Sequence, residues 1–216
     1  MTKTMIGFLH PGEMGSAVGA AARAAGARVV WASEGRSPDT RSRAVAAEFE
    51  DVGTLAALVA QSDFILSICP PDAAVEVARS AAARRFAGVY IDANAVSPAT
   101  ARTIAAIIEG AGGRFVDGGI IGPPPAKRGK SRLYLSGREA ALVAALFDAS
   151  ALEAIAMDGT VGAASALKMT YAAWTKGSAE LLIAVRALAI GEGIEADLLA
   201  EWERSIPELP LDLKQP

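Results

Sequence analysis

The chain has 216 residues, 21 Lys and Arg against 24 Asp and Glu, a formal net charge of −3, and 52% hydrophobic residues, many of them alanine. That balance excludes a basic face for nucleic acid. The greasiest stretch, Leu181 to Ile190, is too short to cross a membrane and carries Arg186. One cysteine, Cys69, and one histidine, His10, rule out an intramolecular disulfide and a Cys- or His-rich metal site, and fit a reducing cytoplasm.

Short β-branched runs alternate with alanine-rich helical stretches along the first two thirds. Met5–Leu9 reads as a strand, too short and too soon interrupted by His10, Pro11 and Gly12 to be a secretory signal. A helix over Met14–Ala25 follows, closed by Gly26, then a strand at Arg28–Trp31. Ser37-Pro38 predicts an N-cap with proline at the first helical position, opening a helix to Glu48. Next come a helix at Thr54–Ala60, a strand at Phe64–Cys69, a helix at Ala73–Arg84 and a strand at Val89–Ala93. Ser97-Pro98 opens another helix to Glu109, ended near Gly112. Strands at Arg114–Asp117 and Arg132–Ser136 and a helix at Arg138–Ala149 complete the series. Alternating strands and helices predict an α/β fold with a doubly wound, mainly parallel sheet.

From Gly159 the strand signal stops. Val161–Ile190 reads as one helix, about 45 Å long at 1.5 Å per residue, with Gly162, Gly177 and Gly191 weakening or ending it. A shorter helix is expected at Glu195–Arg204, and an irregular tail from Ile206-Pro207 onwards. The expected division is residues 1–158 and an all-helical segment 159–216.

The sharpest motif is GFLHPGEMG, Gly7 to Gly15, directly after the first strand and opening the first helix, where a dinucleotide-binding turn belongs. Gly12 would let the backbone approach a pyrophosphate, Gly15 would let helix and strand pack closely, and the helix N-terminus would offer N–H groups to the phosphates. The first glycine position of the usual pattern is His10, a residue type that tolerates unusual backbone angles. His10, Pro11, Gly12, Glu13 and Met14 are therefore the candidate cofactor cradle, with His10 filling the turn or touching phosphate.

GFLHPGEMG, SICPPD (Ser67–Asp72), YIDANAVSP (Tyr90–Pro98) and FVDGGIIGPPP (Phe115–Pro125) together resemble the β-hydroxyacid dehydrogenase superfamily. Within it they resemble a subgroup with a 6-phosphogluconate-dehydrogenase-type NAD(P)-binding domain and a C-terminal domain of unassigned function. The resemblance covers about residues 5 to 205. It implies a Rossmann domain, a long interdomain helix, and a helical C-terminal domain that builds the active site with a second subunit. Subgroup members usually continue beyond the segment matching Glu201–Pro210, so the C-terminal domain is expected to be incomplete.

The end of the second strand bears on the cofactor. Glu34 stands near the spacing of an NAD-type acid, whereas Arg36 with Ser37 resembles the arginine–hydroxyl pair of NADP-using relatives. Ser33 shares that segment and Arg41 and Arg43 follow. NADP is the expected cofactor, NAD the alternative. Cys69 and Pro70 stand at the carboxyl edge where open α/β sheets hold ligands, and Cys69 reads as a small buried hydrophobe rather than a nucleophile. Asn94 and Ser97 match a loop that contacts nicotinamide ribose in the superfamily, though Ser97 caps a helix in any case.

After Asp117 a glycine- and proline-rich loop is expected. In the resembled dehydrogenases its counterpart holds the substrate carboxylate with a serine and paired glycines; here the serine position is Ile121 and only Gly122 remains, which predicts a more apolar pocket. Lys168, in GAASALKMTYAAWTKGS, matches the superfamily's catalytic lysine. A lysine partly desolvated beside nicotinamide can have its pKa lowered towards neutrality and so exchange a proton with a forming alkoxide. Tyr171, one turn on, could add a hydroxyl for substrate, and Lys176 is a weaker alternative base.

Together these readings predict an NAD(P)-dependent oxidoreductase acting on a small carbonyl, hydroxyl or imine compound. The competing reading is a non-catalytic dinucleotide-binding protein, a truncated paralogue. Leu167, Tyr171, Trp174, Leu181, Leu182, Val185 and Leu188 are too many apolar residues to leave wet on one helix, so a homodimer through the C-terminal helices is expected, with Trp174 and Leu181 near the contact.

Overall fold

The computed structural model describes residues 3–208; the expected irregular tail lies, from Leu209 on, outside the described residues. Contacts divide the chain into two units, Met1–Met169 and Thr170–Pro216.

The first unit is built on an eight-stranded sheet of order β3-β2-β1-β4-β5-β6-β7-β8. β1 (Met5–Phe8), β2 (Arg28–Trp31), β4 (Phe64–Ser67) and β5 (Val89–Asp92) fall where the hydrophobic runs predict them. These strands and β6 (Arg114–Ile121) pair in parallel. Starting at the centre and reversing once, the chain places a switch point between β1 and β4, where such sheets hold ligands outside their carboxyl ends. Helices cover both faces. One apolar cluster gathers Phe8, Val18, Trp31, Ile91, Val116 and Leu133; the other gathers Leu58, Ile65, Tyr90, Ile104 and Phe115. α1 (Glu13–Ala24), α2 (Pro38–Ala46), α3 (Leu55–Gln61), α4 (Ala74–Ala82) and α5 (Pro98–Gly110) lie between the strands. Ser37 and Ser97 cap α2 and α5, each accepting a backbone N–H three residues on, with proline next in line.

Three expectations need correction. β6 does not stop at Asp117 but runs to Ile121, so Gly118 and Gly119 belong to a buried strand rather than a loop. It turns back through residues 122–130 into antiparallel β7 (Ser131–Ser136). The helix expected over Arg138–Ala149 is only α6 (Ala140–Ala144) with a 3₁₀ turn at Ala145–Phe147. Two strands were not anticipated: β3 (Glu50–Asp51), only two residues long, and β8 (Leu152–Ala156), which pairs in parallel with β7 and reads LEAIA, with too little β-branching to stand out.

α7 (Ala163–Gly191) starts in the first unit and continues into the second as one uninterrupted helix. Gly177 lies inside it without breaking it. In the second unit α8 (Glu195–Ser205) follows, and the Arg186 guanidinium meets the Glu195 carboxylate at 2.6 Å. Trp174 is 75% exposed, Leu181 66% and Leu188 68%. No helix among the described residues is long and apolar enough to cross a membrane.

Candidate functional site

The turn from β1 into α1 is tight. The Gly12 N–H donates to the His10 carbonyl at 2.8 Å, and Gly12 is the N-cap of α1, with no side chain to cap the first-turn N–H groups. A Cβ on Gly15 would lie 2.5 Å from the His10 carbonyl oxygen, so that glycine is demanded by the fold. A Cβ on Gly12 would meet no chain atom within 4 Å. Its bareness is therefore explained by nothing inside the chain, and it leaves open the place where a phosphate would approach the helix N-terminus. Pro11 is buried and its carbonyl accepts from the Arg43 guanidinium at 3.3 Å, while Glu13 is exposed in the first turn and Met14 faces a cavity.

Beyond β2, the Ser33 N–H donates to the Asp51 carboxylate at 3.2 Å, tying β2 to the end of β3. Arg41 spends its guanidinium on the carbonyls of Ser33 and Arg36. Arg36 is different. Its Nε is buried without a hydrogen-bond partner, and so is Nδ1 of His10. Both line a cavity of about 200 Å³ with Leu9, Leu55, Ala73, Glu76, Val77 and Ser80. Burial, and then the neighbouring Arg36 charge, lower the His10 pKa to about 4, so the imidazole is neutral at physiological pH. Burial also lowers the pKa of Arg36. Two unsatisfied polar atoms in one cavity are costly unless a polar ligand answers them. Ser37 stands beside them, its hydroxyl accepting from the Thr40 N–H at 3.3 Å. Glu34 is exposed.

On the other side of the β1–α1 turn, a second cavity of about 190 Å³ opens over the carboxyl edges of β4, β5 and β6. Its walls include Met14, Ile68, Cys69, Pro71, Ala93, Asn94, Ile120 and Lys168. Asn94 holds its rim together: its Oδ1 accepts from the Cys69 N–H at 2.6 Å, and its Nδ2 donates to Ser67 Oγ at 3.2 Å and to the Asp92 carboxylate. The side chain expected to contact ribose is thus also a strut of the cavity floor. Pro70 is exposed beside it. Burial pushes the Cys69 thiol up, in keeping with an inert sulfur.

Asp92 is fully buried, and one of its carboxylate oxygens has no partner. Burial, together with the charge of Asp117 directly across in β6, pushes its pKa up to about 7 against the pull of its hydrogen bonds with Asn94. The folded state therefore retains a proton that the unfolded chain loses near pH 4, so stability falls as pH rises from about 4 to about 7. Asp92→Asn removes that slope. Its stability relative to wild type should climb by about 1.4 kcal/mol per pH unit across the window. Urea unfolding at pH 5 and pH 8 is the check, and an equal difference at both pH values would refute it.

Asp117, also fully buried, is the residue that sequence reasoning missed. Its Oδ2 accepts from the N–H groups of Gly162 (3.0 Å) and Ser165 (2.9 Å) and from Ser136 Oγ (3.0 Å), and its Oδ1 from Ser165 Oγ (2.6 Å). A buried carboxylate in the middle of β6 thus fastens the N-terminus of α7, where the helix dipole favours negative charge. The signal was present as two apolar runs each followed by Asp, YID and FVD, but only the register makes these residues neighbours. Three residues after Ser165, Lys168 leans on the sheet. A Cβ on Gly119 would lie 2.8 Å from the Ala164 carbonyl and 3.0 Å from Lys168 Cβ, so the bare backbone there lets α7 settle and brings Lys168 to the cavity.

Gly122 is not among the cavity-lining residues. Its φ of +117° and the 2.3 Å that a Cβ would leave to the Lys130 carbonyl make it a requirement of the β6–β7 connection. Tyr171 belongs to the second unit and is 47% exposed; Lys176 is exposed there too. Lys168 with the Met14 and Asn94 edges is what the first unit brings together.

Residues 5–164 match the model of the NAD-binding domain of 6-phosphogluconate dehydrogenase. Over 156 residues the chain is 33% identical to an uncharacterised 28.5 kDa protein of Methanothermus fervidus, a match covering 72% of this chain and 59% of that protein. A solved conserved protein of unknown function, described as structurally similar to 3-hydroxyacid dehydrogenases, superposes with a TM-score of 0.76 at 31% identity, over 93% of this chain and 76% of the other. At the level of fold, an imine reductase variant from Myxococcus stipitatus solved with NAD⁺ gives a TM-score of 0.74 at 21% identity, over 94% and 71% of the two chains. The turn, the switch-point cavities and these matches agree: the chain belongs to the family of the 6-phosphogluconate dehydrogenase NAD-binding domain.

Proposed function

We propose that this protein is an NAD(P)-dependent oxidoreductase acting on a small carbonyl, hydroxyl or imine compound. One observation carries the reading: the cavity beside the dinucleotide turn is lined by Lys168 and is otherwise mostly apolar. A nicotinamide dinucleotide bound there would supply or accept the hydride. The chain's own part is to hold it and to move a proton. α1 presents its N-terminus to the phosphates, His10 and Arg36 offer polar atoms on the adenosine side, and Lys168 donates to the substrate oxygen or nitrogen and reclaims the proton in reverse. The matched protein of unknown function, itself described as structurally similar to 3-hydroxyacid dehydrogenases, and the imine reductase that shares the fold are in keeping with both substrate chemistries. A reducing, cytoplasmic setting suits the single cysteine.

NADP is the better-supported cofactor, because Arg36 Nε is buried unpaired while Arg41 and Arg43 are occupied. NADPH is expected to bind more tightly than NADH, and Arg36→Ala to narrow the gap by about tenfold, the scale of a charge-assisted contact to phosphate. Fluorescence titration of both cofactors tests this. Identical curves that the substitution leaves alone would remove the NADP assignment, and no thermal shift with either cofactor would remove the dinucleotide reading.

The exposed Trp174, Leu181 and Leu188 support assembly as a homodimer through the C-terminal helices, since an apolar stripe of this kind is seldom left in water. Sedimentation velocity at micromolar concentration should give a dimer that Trp174→Glu with Leu181→Glu dissociates. A wild-type monomer would refute it.

A further inference from the structure

One row of polar side chains crosses four neighbouring strands. The register pairs Ser67 with Asp92, Asp92 with Asp117, and Asp117 with Ser136, and all four residues are fully buried. Two residues earlier in β4, β5 and β6 stand Ile65, Tyr90 and Phe115, which belong to an apolar cluster on the same face of the sheet. In such a layer every charge needs an answer.

The answers are unequally shared. Asp117 accepts from the N–H groups of Gly162 and Ser165 and from the hydroxyls of Ser165 and Ser136. Asp92 is answered by Asn94, and its Oδ2 has no partner among the described residues. The other groups around it bring no positive charge: Ser67 on β4, Cys69 with Asp72 beyond it, the Tyr90 hydroxyl on β5, and Asp117 on β6. The cations of the packed helices stand elsewhere, Arg102 of α5 at Gly162 and Lys168 of α7 on the cavity wall. Burial pushes the Tyr90 phenol and the Cys69 thiol up, so both stay neutral at physiological pH, whereas Asp92 changes charge near neutrality.

Only one side chain separates this carboxyl from the cavity. Asn94 donates to Asp92 through Nδ2, accepts from the Cys69 N–H at 2.6 Å, and lines the Lys168 cavity. A charge buried behind a single amide is screened far less than one at the surface.

We propose that Asp92 discriminates the oxidised from the reduced dinucleotide: as a carboxylate it favours the cationic nicotinamide ring in the Lys168 cavity, and as a neutral acid it gives up that preference. The inference rests on the dinucleotide reading above and concerns which redox form the site prefers. The oxidised ring carries a positive charge that the reduced ring lacks. The phosphates are common to both forms and cancel in the ratio of the two affinities. His10, with its pKa near 4, is neutral throughout the range that matters. Lys168 acts on the same ring in the opposite sense while it is protonated, and the test has to separate the two.

The test measures the Kd of NADP⁺ and of NADPH by calorimetry on the full chain at pH 6 and pH 8. Affinity for NADP⁺ relative to NADPH should rise with pH by about fivefold, the scale on which one buried charge acts on another a side chain away. In Asp92→Asn the ratio should be the same at both pH values, and in Lys168→Met the rise should persist. A wild-type ratio that does not change overturns the proposal, as does a wild-type rise in Asp92→Asn or a rise lost in Lys168→Met. The wild-type and Lys168→Met measurements decide the matter even if Asp92→Asn fails to fold. Failure of wild-type protein to bind either form overturns the dinucleotide reading and this inference with it.

Discussion

Lys168→Met should lower kcat by about a hundredfold to ten-thousandfold, the usual scale for a positioned general acid, while leaving dinucleotide binding nearly unchanged. Methionine keeps an unbranched apolar stem against Gly119, so α7 stays seated while the proton donor is lost. The readout is oxidation of NADPH with a panel of ketones, keto acids and imines, alongside cofactor titration. Wild-type turnover in the variant would take proton transfer away from Lys168. Loss of cofactor binding together with turnover would instead assign the lysine to holding the dinucleotide.

The second large effect is on stability. Asp117→Ala should cost about 3 kcal/mol or more, because it strands two buried N–H groups and two buried hydroxyls and strips the N-terminus of α7 of its negative partner. Asp117→Asn keeps the shape and the Oδ1 acceptor but turns two of the donor contacts into donor–donor clashes, and should fall between. Urea denaturation measures both, with a loss under about 0.5 kcal/mol in the alanine variant as the refuting result. The substitution also removes the charge facing Asp92, so the pH dependence assigned to Asp92 should weaken in parallel.

What the sequence made legible follows from where its signals are local. Gly12 and Gly15 sit between a strand and a helix, and the meaning of that arrangement depends on no other part of the chain. Ser37-Pro38 and Ser97-Pro98 announce helix starts for the same reason, and the long run after Val161 has no competing pattern. Gly118-Gly119 misled because glycine reads as loop, whereas here its bareness clears the way for α7. The fastening role of Asp117 was invisible because its partners, Gly162 and Ser165, are more than 40 residues away, and only folding brings them together. Arg36 and Arg41 look interchangeable in the sequence; the structure separates them by what each guanidinium already holds.

That long separation also orders the events of folding. Asp92 and Asp117 are in place side by side as soon as β5 and β6 pair, but the N–H groups that answer Asp117 arrive only after β7, α6 and β8 have been made. Until then two neighbouring carboxylates face each other in a closing interior with no compensating dipole, which disfavours compaction of that half of the sheet. A loop of this length is slow to close compared with the local hairpin from β6 to β7. The nascent chain is therefore expected to stay loose around β5 and β6 until the start of α7 arrives, with that first helical turn as the clasp that completes the first unit.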